Sequence, residues 1–238
     1  MTLAWRVVKK AFGDFVEEIF WLVAFNLVWC LAAIPLVSIP LIVWGVASPW
    51  AALVNGVTIV ALPLATAGLT WLASEIGQGK AVGWRTFVTG ARRFWRPAYY
   101  WFATNVVFWG IVLTTIMFWT GRQDVQLTTG LPSLAVIIVT VFIAAAVWWA
   151  GMQLYVFPFL FVQEVTSLRL AYRNSAILLL SRPALTIVLM IVIAIITVVS
   201  VFVNLFPFFF FYFALLFLLG NRAVIETIKL MHPDSQES

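Results

Sequence analysis

The sequence predicts an all-α fold: a polytopic integral membrane protein with six transmembrane helices in three hairpins, each hairpin preceded by an interfacial amphipathic helix. Three observations indicate this class. Of the 238 residues, 64% are hydrophobic and only 10% are charged, whereas a soluble domain has about 25% charged residues. Long uncharged stretches separate the charges, and nearly all cations fall on one side of the predicted membrane. We therefore expect lipid to surround most of the chain.

The uncharged stretches set the number of crossings. No Asp, Glu, Lys or Arg occurs in residues 19–74, 97–121, 125–163 or 183–221. A crossing of a hydrocarbon core about 30 Å thick needs roughly 20 apolar residues in a helix. The first and fourth stretches are long enough for two crossings each, and the other two stretches for one each. Within a single transmembrane domain of residues 1–238, the predicted helices are 19–45, 49–74, 97–120, 132–162, 183–203 and 206–221.

Prolines indicate where helices bend or begin. Pro35 and Pro40 are expected to kink or end the first crossing, and Pro158 to distort the last turns of the fourth, because proline removes a backbone donor. Ser48 followed by Pro49 is typical of a helix start, with serine as N-cap and proline at the first helical position. We therefore predict that the second crossing begins at Pro49.

Three amphipathic segments, residues 3–18, 83–96 and 164–181, precede the three hairpins. In the first, the apolar residues at helical spacing are Trp5, Val8, Phe12, Phe15 and Ile19. In the second they are Trp84, Phe87, Val88, Ala91 and Phe94. In the third, Leu168, Tyr172, Ser175 and Leu179 share a face. We expect each helix to lie in the membrane interface, with its apolar side in the acyl boundary and its cations towards anionic headgroups. The candidate headgroup contacts are Arg85, Arg92, Arg93, Arg96, Arg169 and Arg173.

The distribution of cations predicts the orientation. With six crossings, all of the 14 Lys and Arg residues except Arg122 fall on one side. The positive-inside rule makes that side cytoplasmic. We therefore expect a multi-pass protein of the cell membrane whose N- and C-termini are both cytoplasmic.

The sequence offers few groups for catalysis. His232 is the only histidine, so one chain cannot assemble a histidine metal cluster or a Ser-His-Asp triad, and no Walker-type phosphate loop is present. We predict no catalytic residues, no metal site, no cofactor and no enzymatic activity. Arg92, Arg93 and Arg96 precede a run of aromatic residues, which beside a membrane indicates lipid contact rather than nucleic-acid binding.

Neutral polar residues are the remaining candidates within the spans. Asn26, Asn105 and Gln153 lie at predicted membrane depth, where no ionisable Asp, Glu, Lys, Arg or His occurs. The missing ionisable groups argue against proton coupling. Two interpretations of the three amides stay open: they line a polar cavity for a neutral solute, or they form interhelical hydrogen bonds worth on average about 0.6 kcal/mol each.

Several segments together resemble the YesL-like family of bacterial membrane proteins of unknown function. The segments that carry the resemblance are Phe25–Trp29, Ile34–Pro40, the second crossing with Pro63, Ala65 and Ala67, the basic stretch Trp84–Arg96, and Arg182-Pro183. The resemblance covers most of the chain and implies an association with carbohydrate uptake and utilisation systems. It implies no catalytic residues.

The expected function is that of a non-enzymatic accessory membrane protein that supports or regulates a solute transport system. The alternative is a small facilitator or transporter for a neutral solute, with Asn26, Asn105 and Gln153 along its path. The expected partners are membrane lipids, including anionic ones, and sugar-transporter subunits, with no nucleic acid.

Overall fold

The computed structural model describes residues 2–33, 49–120, 134–202 and 208–231. These residues are 92% helical and contain no strand, which confirms the all-α membrane fold. The helices are α1 (Leu3–Glu17), α2 (Ile19–Ala33), α3 (Pro49–Gly77), α4 (Trp84–Arg93), α5 (Trp95–Thr120), α6 (Leu134–Val162), α7 (Leu168–Ser181), α8 (Pro183–Phe202) and α9 (Phe213–Met231). A single π-helical turn, Phe208–Tyr212, precedes α9.

Five of these helices, α3, α5, α6, α8 and α9, are long and apolar enough to cross a membrane. The first predicted crossing, 19–45, is described only in its first 15 residues, as α2. The rest of it, with Pro35 and Pro40, lies outside the described residues. Helix α2 is bent by 92° from the amphipathic α1, and the count of candidate spans among the described residues rises from five to six if this bent pair is taken as one span.

Most predicted boundaries agree with the structure to within a few residues, but the last helix does not end near Asn221. Helix α9 continues to Met231. The prediction stopped at Arg222 because a charged residue ends an apolar span, whereas the structure pairs that arginine with Asp14 of α1. Helix α3 begins at Pro49 as predicted, and α6 continues through Pro158 to Val162.

A one-residue break between consecutive helices occurs three times in the described part of the chain. A single residue outside the helical conformation separates α1 from α2, α4 from α5, and α7 from α8; these residues are Glu18, Phe94 and Arg182. The N–H of each donates to the carbonyl four residues earlier, and its own carbonyl accepts from the N–H four residues later. Each break therefore ends an amphipathic helix and starts an apolar one with its own backbone groups bonded.

The helix contacts divide the chain into three units, α1–α3, α4–α6 and α7–α9. The third helices of the units, α3, α6 and α9, contact one another at the centre of the protein. The amphipathic helix of each unit packs on the third helix of the preceding unit: α4 on α3, α7 on α6, and α1 on α9. The contact of α1 with α9 closes this order into a ring.

Glycines permit the closest contacts of the central helices. A Cβ on Gly220 of α9 would lie 2.2 Å from the carbonyl oxygen of Leu154 in α6, well inside van der Waals contact. A Cβ on Gly90 of α4 would lie 2.4 Å from the Cβ of Trp71 in α3. Backbones approach this closely only where a side chain is missing, as is common between membrane helices.

The spanning helices differ widely in burial. Of the residues in the most apolar window, 61% are buried inside the protein in α3 and 56% in α9, against 6% in α5 and 11% in α6. The core is therefore central, around α3 and α9, while α5 and much of α6 expose their side chains. In a bilayer, acyl chains cover such apolar surface.

We expect Gly220→Ala to lower stability, because the added methyl has no room against the Leu154 backbone. Overpacking of this kind costs about 1–3 kcal/mol. Thermal unfolding of the detergent-solubilised protein, followed by tryptophan fluorescence, measures the effect. The control is Gly110→Ala on α5, where a Cβ meets no atom within 4 Å. Equal stability of the two variants would contradict the close α6–α9 contact.

Candidate functional site

Asn26 is fully buried and completes the hydrogen bonding of another helix. Its Oδ1 accepts the backbone N–H of Ala214 at 2.9 Å, near the start of α9 and 188 residues away in the sequence. Its Nδ2 donates to the Sγ of Cys30, one turn further along α2, at 3.6 Å. Ala214 follows closely after the π-helical turn, where the spacing of backbone hydrogen bonds changes. Asn26 therefore holds α2 to the beginning of α9.

Asn105 and Gln153 lie together between α5 and α6. The Asn105 Nδ2 donates to the Gln153 Oε1 at 3.3 Å and to the Trp101 carbonyl at 2.9 Å. The indole N–H of Trp101 donates to the same Oε1 at 2.7 Å, and that of Trp149 to the Asn105 Oδ1 at 3.0 Å. Two amides and two indoles thus form a hydrogen-bonded cluster, which we call the amide–indole cluster.

Tyr172 of α7 covers this cluster from the interfacial side. Its ring stacks on Trp149, with centroids 5.3 Å apart. Burial raises the pKa of its hydroxyl to about 12, more than the neighbouring amides of Gln153 and Asn105 lower it, so the hydroxyl stays neutral at physiological pH. The geometry of the hydroxyl to these amides falls short of a hydrogen bond, and the Gln153 Nε2 is also buried without a hydrogen-bond partner among the described residues.

The structure thus brings two of the three predicted polar residues together. Asn105 and Gln153 bond directly to each other, whereas the bonds of Asn26 to Ala214 and Cys30 tie α2 to α9. All three amides take part in contacts that hold helices, as the second of the two interpretations expects. Sequence spacing offered no signal that Trp101 and Trp149 complete the cluster.

The six predicted headgroup arginines are all exposed at the surface. Arg93 lies over the ring of Trp71 at 5.5 Å, and Arg96 lies over Trp95 at 5.1 Å. These cation–π contacts hold two guanidinium groups beside aromatic rings. Arg85, Arg92, Arg169 and Arg173 are also exposed, on α4 and α7.

The apolar face of α1 differs from the predicted one. Ala4, Val7 and Ala11 are buried with Phe15, whereas Trp5 and Phe12, which were placed on the same face, are 58% and 42% exposed. The small residues let α1 lie close to α9, so that its buried side faces protein. On α4, Phe87 and Val88 are likewise half-buried, with Gly90 packed on Trp71 of α3. The prediction that these helices place their whole apolar side in lipid was therefore wrong in part.

Ion pairs join α1 to α9, which the sequence did not predict. The Arg222 guanidinium donates to both carboxylate oxygens of Asp14. Lys10 lies one turn before Asp14 on α1, and Glu226 lies one turn after Arg222 on α9. The Lys10 Nζ lies 2.7 Å from Glu226 Oε1, and the Arg6 Nη1 lies 4.0 Å from Glu226 Oε2. The Glu226 side chain is only 3% exposed. The signal available in the sequence was the i, i+4 spacing of opposite charges on each helix.

A wide apolar groove separates α6 from α8. The two helices meet where the Tyr155 hydroxyl hydrogen-bonds the Thr186 hydroxyl at 2.9 Å. Beyond this contact lies a groove of about 670 Å³ with small residues on its walls, among them Ala144, Gly151 and Ala194. Among the residues that the structure describes, no charged one lines this groove.

The sequence predicts no metal site, and the structure describes only some of the side chains that could ligate a metal. Within residues 2–33, 49–120, 134–202 and 208–231, no three His, Cys, Asp or Glu side chains lie close enough together to hold a metal ion. His232 lies outside these ranges.

We expect Asn105 and Gln153 to show coupled effects on stability. In a double-mutant cycle with Asn105→Leu and Gln153→Leu, the interaction should be about 0.6 kcal/mol and at most about 1.7 kcal/mol, the range for hydrogen bonds between membrane helices. Unfolding in mixed micelles of increasing SDS content measures it. Thr114→Ala is the control partner, because this exposed hydroxyl bonds only to carbonyls of its own helix. Additive effects for the amide pair would exclude a direct bond.

Comparison with known proteins returned no matching family model, no matching curated protein and no matching solved structure. The resemblance to the YesL-like family therefore stays a prediction from the sequence. The chain is an all-α, multi-pass membrane protein, and the side-chain amides of Asn26, Asn105 and Gln153 connect helices to one another.

Proposed function

We propose that this protein is a non-enzymatic accessory membrane protein that supports or regulates a solute transport system, with carbohydrate as the solute class. The observation that carries the proposal is the set of hydrogen bonds made by the three side-chain amides within the spans. Asn26, Asn105 and Gln153 bond to neighbouring helices instead of lining a path. The resemblance to the YesL-like family supports the carbohydrate assignment.

The α6–α8 groove is where we place the transporter subunit. In the other two units, the second helix packs on the preceding unit: α5 contacts α3, and α2 contacts the π-helical turn and α9. At the corresponding place, α8 and α6 touch only near Tyr155 and leave the groove open. Small residues on its walls permit close approach of another transmembrane helix.

A facilitator for a neutral solute is the second candidate. The observation that favours it is the Gln153 Nε2, which is buried within the amide–indole cluster without a hydrogen-bond partner among the described residues. A solute hydroxyl reaching this donor would complete its bonding. Opening of the cluster would then require Asn105 and Gln153 to separate.

We also propose that the protein lies in the cell membrane with both termini in the cytoplasm. One cavity brings together the end of α1, the end of α3 and Arg222 of α9. Another joins Leu3 of α1 to Arg182 at the α7–α8 junction. The basic segments therefore share one end of the protein, and the positive-inside rule assigns that end to the cytoplasm.

Transport assays separate the two functions. For an accessory protein, liposomes containing the purified chain should shrink after a hyperosmotic step of glucose or maltose and recover no faster than protein-free liposomes, as followed by light scattering. Sugar entry that Asn105→Leu abolishes would instead support the facilitator.

Crosslinking in native membranes tests the partner. A photoreactive amino acid at Val147, in the α6–α8 groove, should form adducts with a membrane subunit of a solute transporter, identified by mass spectrometry. The same probe at Val28, which is exposed on α2 away from the groove, is the control. Adducts to such a subunit from neither position, or from Val28 alone, would count against the proposed docking place.

Cysteine labelling tests the orientation. In a Cys30→Ala background, Thr89→Cys on exposed α4 should react with an impermeant maleimide only after the membrane is opened. Gln126→Cys, in the loop predicted to lie outside, should react in intact cells. The reverse pattern would exclude cytoplasmic termini.

A further inference from the structure

A second groove of about 660 Å³ lies at the junction of α3, α4 and α5. Its apolar wall is formed by Leu64, Phe87, Val88 and Ala91. Trp95 and Tyr99, from the first turns of α5, also line it. This volume lies within the range of about 300–1,000 Å³ that binds small molecules in proteins. The groove is formed where an amphipathic helix and an apolar helix meet, at the predicted level of the membrane interface.

Arg92 is the charged residue on the wall of this groove. It is exposed, and the ion pairs formed among the described residues do not involve it. The two neighbouring arginines are placed differently: Arg93 lies over Trp71 and Arg96 over Trp95. The guanidinium of Arg92 therefore remains free to bind an anion beside an apolar surface.

The hydroxyl of Tyr99, which also lines the groove, already has a partner. The Tyr99 hydroxyl donates to the Val60 carbonyl of α3 at 2.8 Å. This bond leaves an apolar wall that continues from the level of Arg92 along α3 and α5. A ligand that fits must therefore combine an anionic head with an apolar chain.

We infer that this groove binds a glycerophospholipid with an anionic headgroup. The phosphate lies against Arg92, whose planar guanidinium can donate two parallel hydrogen bonds to phosphate oxygens. One acyl chain lies along Leu64 and Val88. Trp95 and Tyr99 lie at the level where aromatic side chains line membrane interfaces.

The α6–α8 groove provides an internal comparison. It has nearly the same volume, about 670 Å³, but none of the described residues on its walls is charged. An apolar groove without a cation offers nothing that distinguishes one phospholipid headgroup from another. The presence of Arg92 is what makes the groove beside α4 selective for an anionic lipid.

Native mass spectrometry of the full-length, delipidated protein tests the site. The protein is given equal amounts of phosphatidylglycerol and phosphatidylcholine in detergent. We expect one phosphatidylglycerol to be retained preferentially. Arg92→Gln should weaken its binding about tenfold, which corresponds to about 1.4 kcal/mol, because it removes a charge-assisted hydrogen bond to the phosphate. Lys9→Gln, which removes an exposed cation of α1 that lies outside the groove and outside the candidate headgroup contacts, should leave binding unchanged.

Further variants separate the site from general charge effects. Ala91→Trp, which fills the groove, should lose the lipid although Arg92 is present, and Arg92→Lys should retain most of the binding. Excess inorganic phosphate should not displace the lipid. Equal retention of both lipids, equal loss in Arg92→Gln and Lys9→Gln, or displacement by phosphate would each overturn the inference. The unfolding temperature of each variant shows whether a loss of lipid binding comes from misfolding. If Arg92→Gln or Ala91→Trp misfolds, the lipid binding of Arg92→Lys is the deciding measurement: retention supports the site, and loss contradicts it.

Discussion

The break between a charged surface helix and an apolar spanning helix is the constraint on which the rest of the structure depends. The hydrocarbon core cannot hydrogen-bond an exposed backbone, so a chain that bends where it enters this core must satisfy its own polar groups there. Glu18, Phe94 and Arg182 do so with one residue each, bonding backwards into the amphipathic helix and forwards into the spanning helix. The charges beside each break thereby stay mostly on α1, α4 and α7, while α2 and α8 carry none and α5 carries only Arg96, in its first turn.

Closure of the ring depends on electrostatics as well as packing. Glu226 is almost fully buried, and such a carboxylate is costly unless cations neutralise it. Lys10 and Arg6 provide them, and Asp14 with Arg222 forms the second pair along the same two helices. These pairs allow α9 to continue beyond its apolar span and α1 to pack on it. The first and last described helices therefore form one surface at the basic end of the protein.

Side-chain amides inside the spans connect helices. The two grooves differ in the chemistry of the residues that line them. The amide–indole cluster joins α5 to α6, and Asn26 joins α2 to α9. The described residues on the walls of the α6–α8 groove are all uncharged, and this groove suits another helix. The groove beside α4 has Arg92 on its wall and suits an anionic lipid. The proposed functions thus lie on the periphery, around a core formed by α3 and α9.

The sequence by itself determined the spans and the amphipathic helices, because hydrophobic length and charge spacing are local properties of the chain. It also singled out Asn105 and Gln153, since amides are rare at membrane depth. Only the tertiary structure decided which face of α1 is buried. Helix α1 has two apolar strips, one with Trp5 and Phe12 and one with Ala4 and Ala11, and the strip with the small alanines is buried because it packs closely on α9. The pairing of Lys10 with Glu226, 216 residues apart, was likewise beyond local reasoning, because no periodicity records which helices become neighbours.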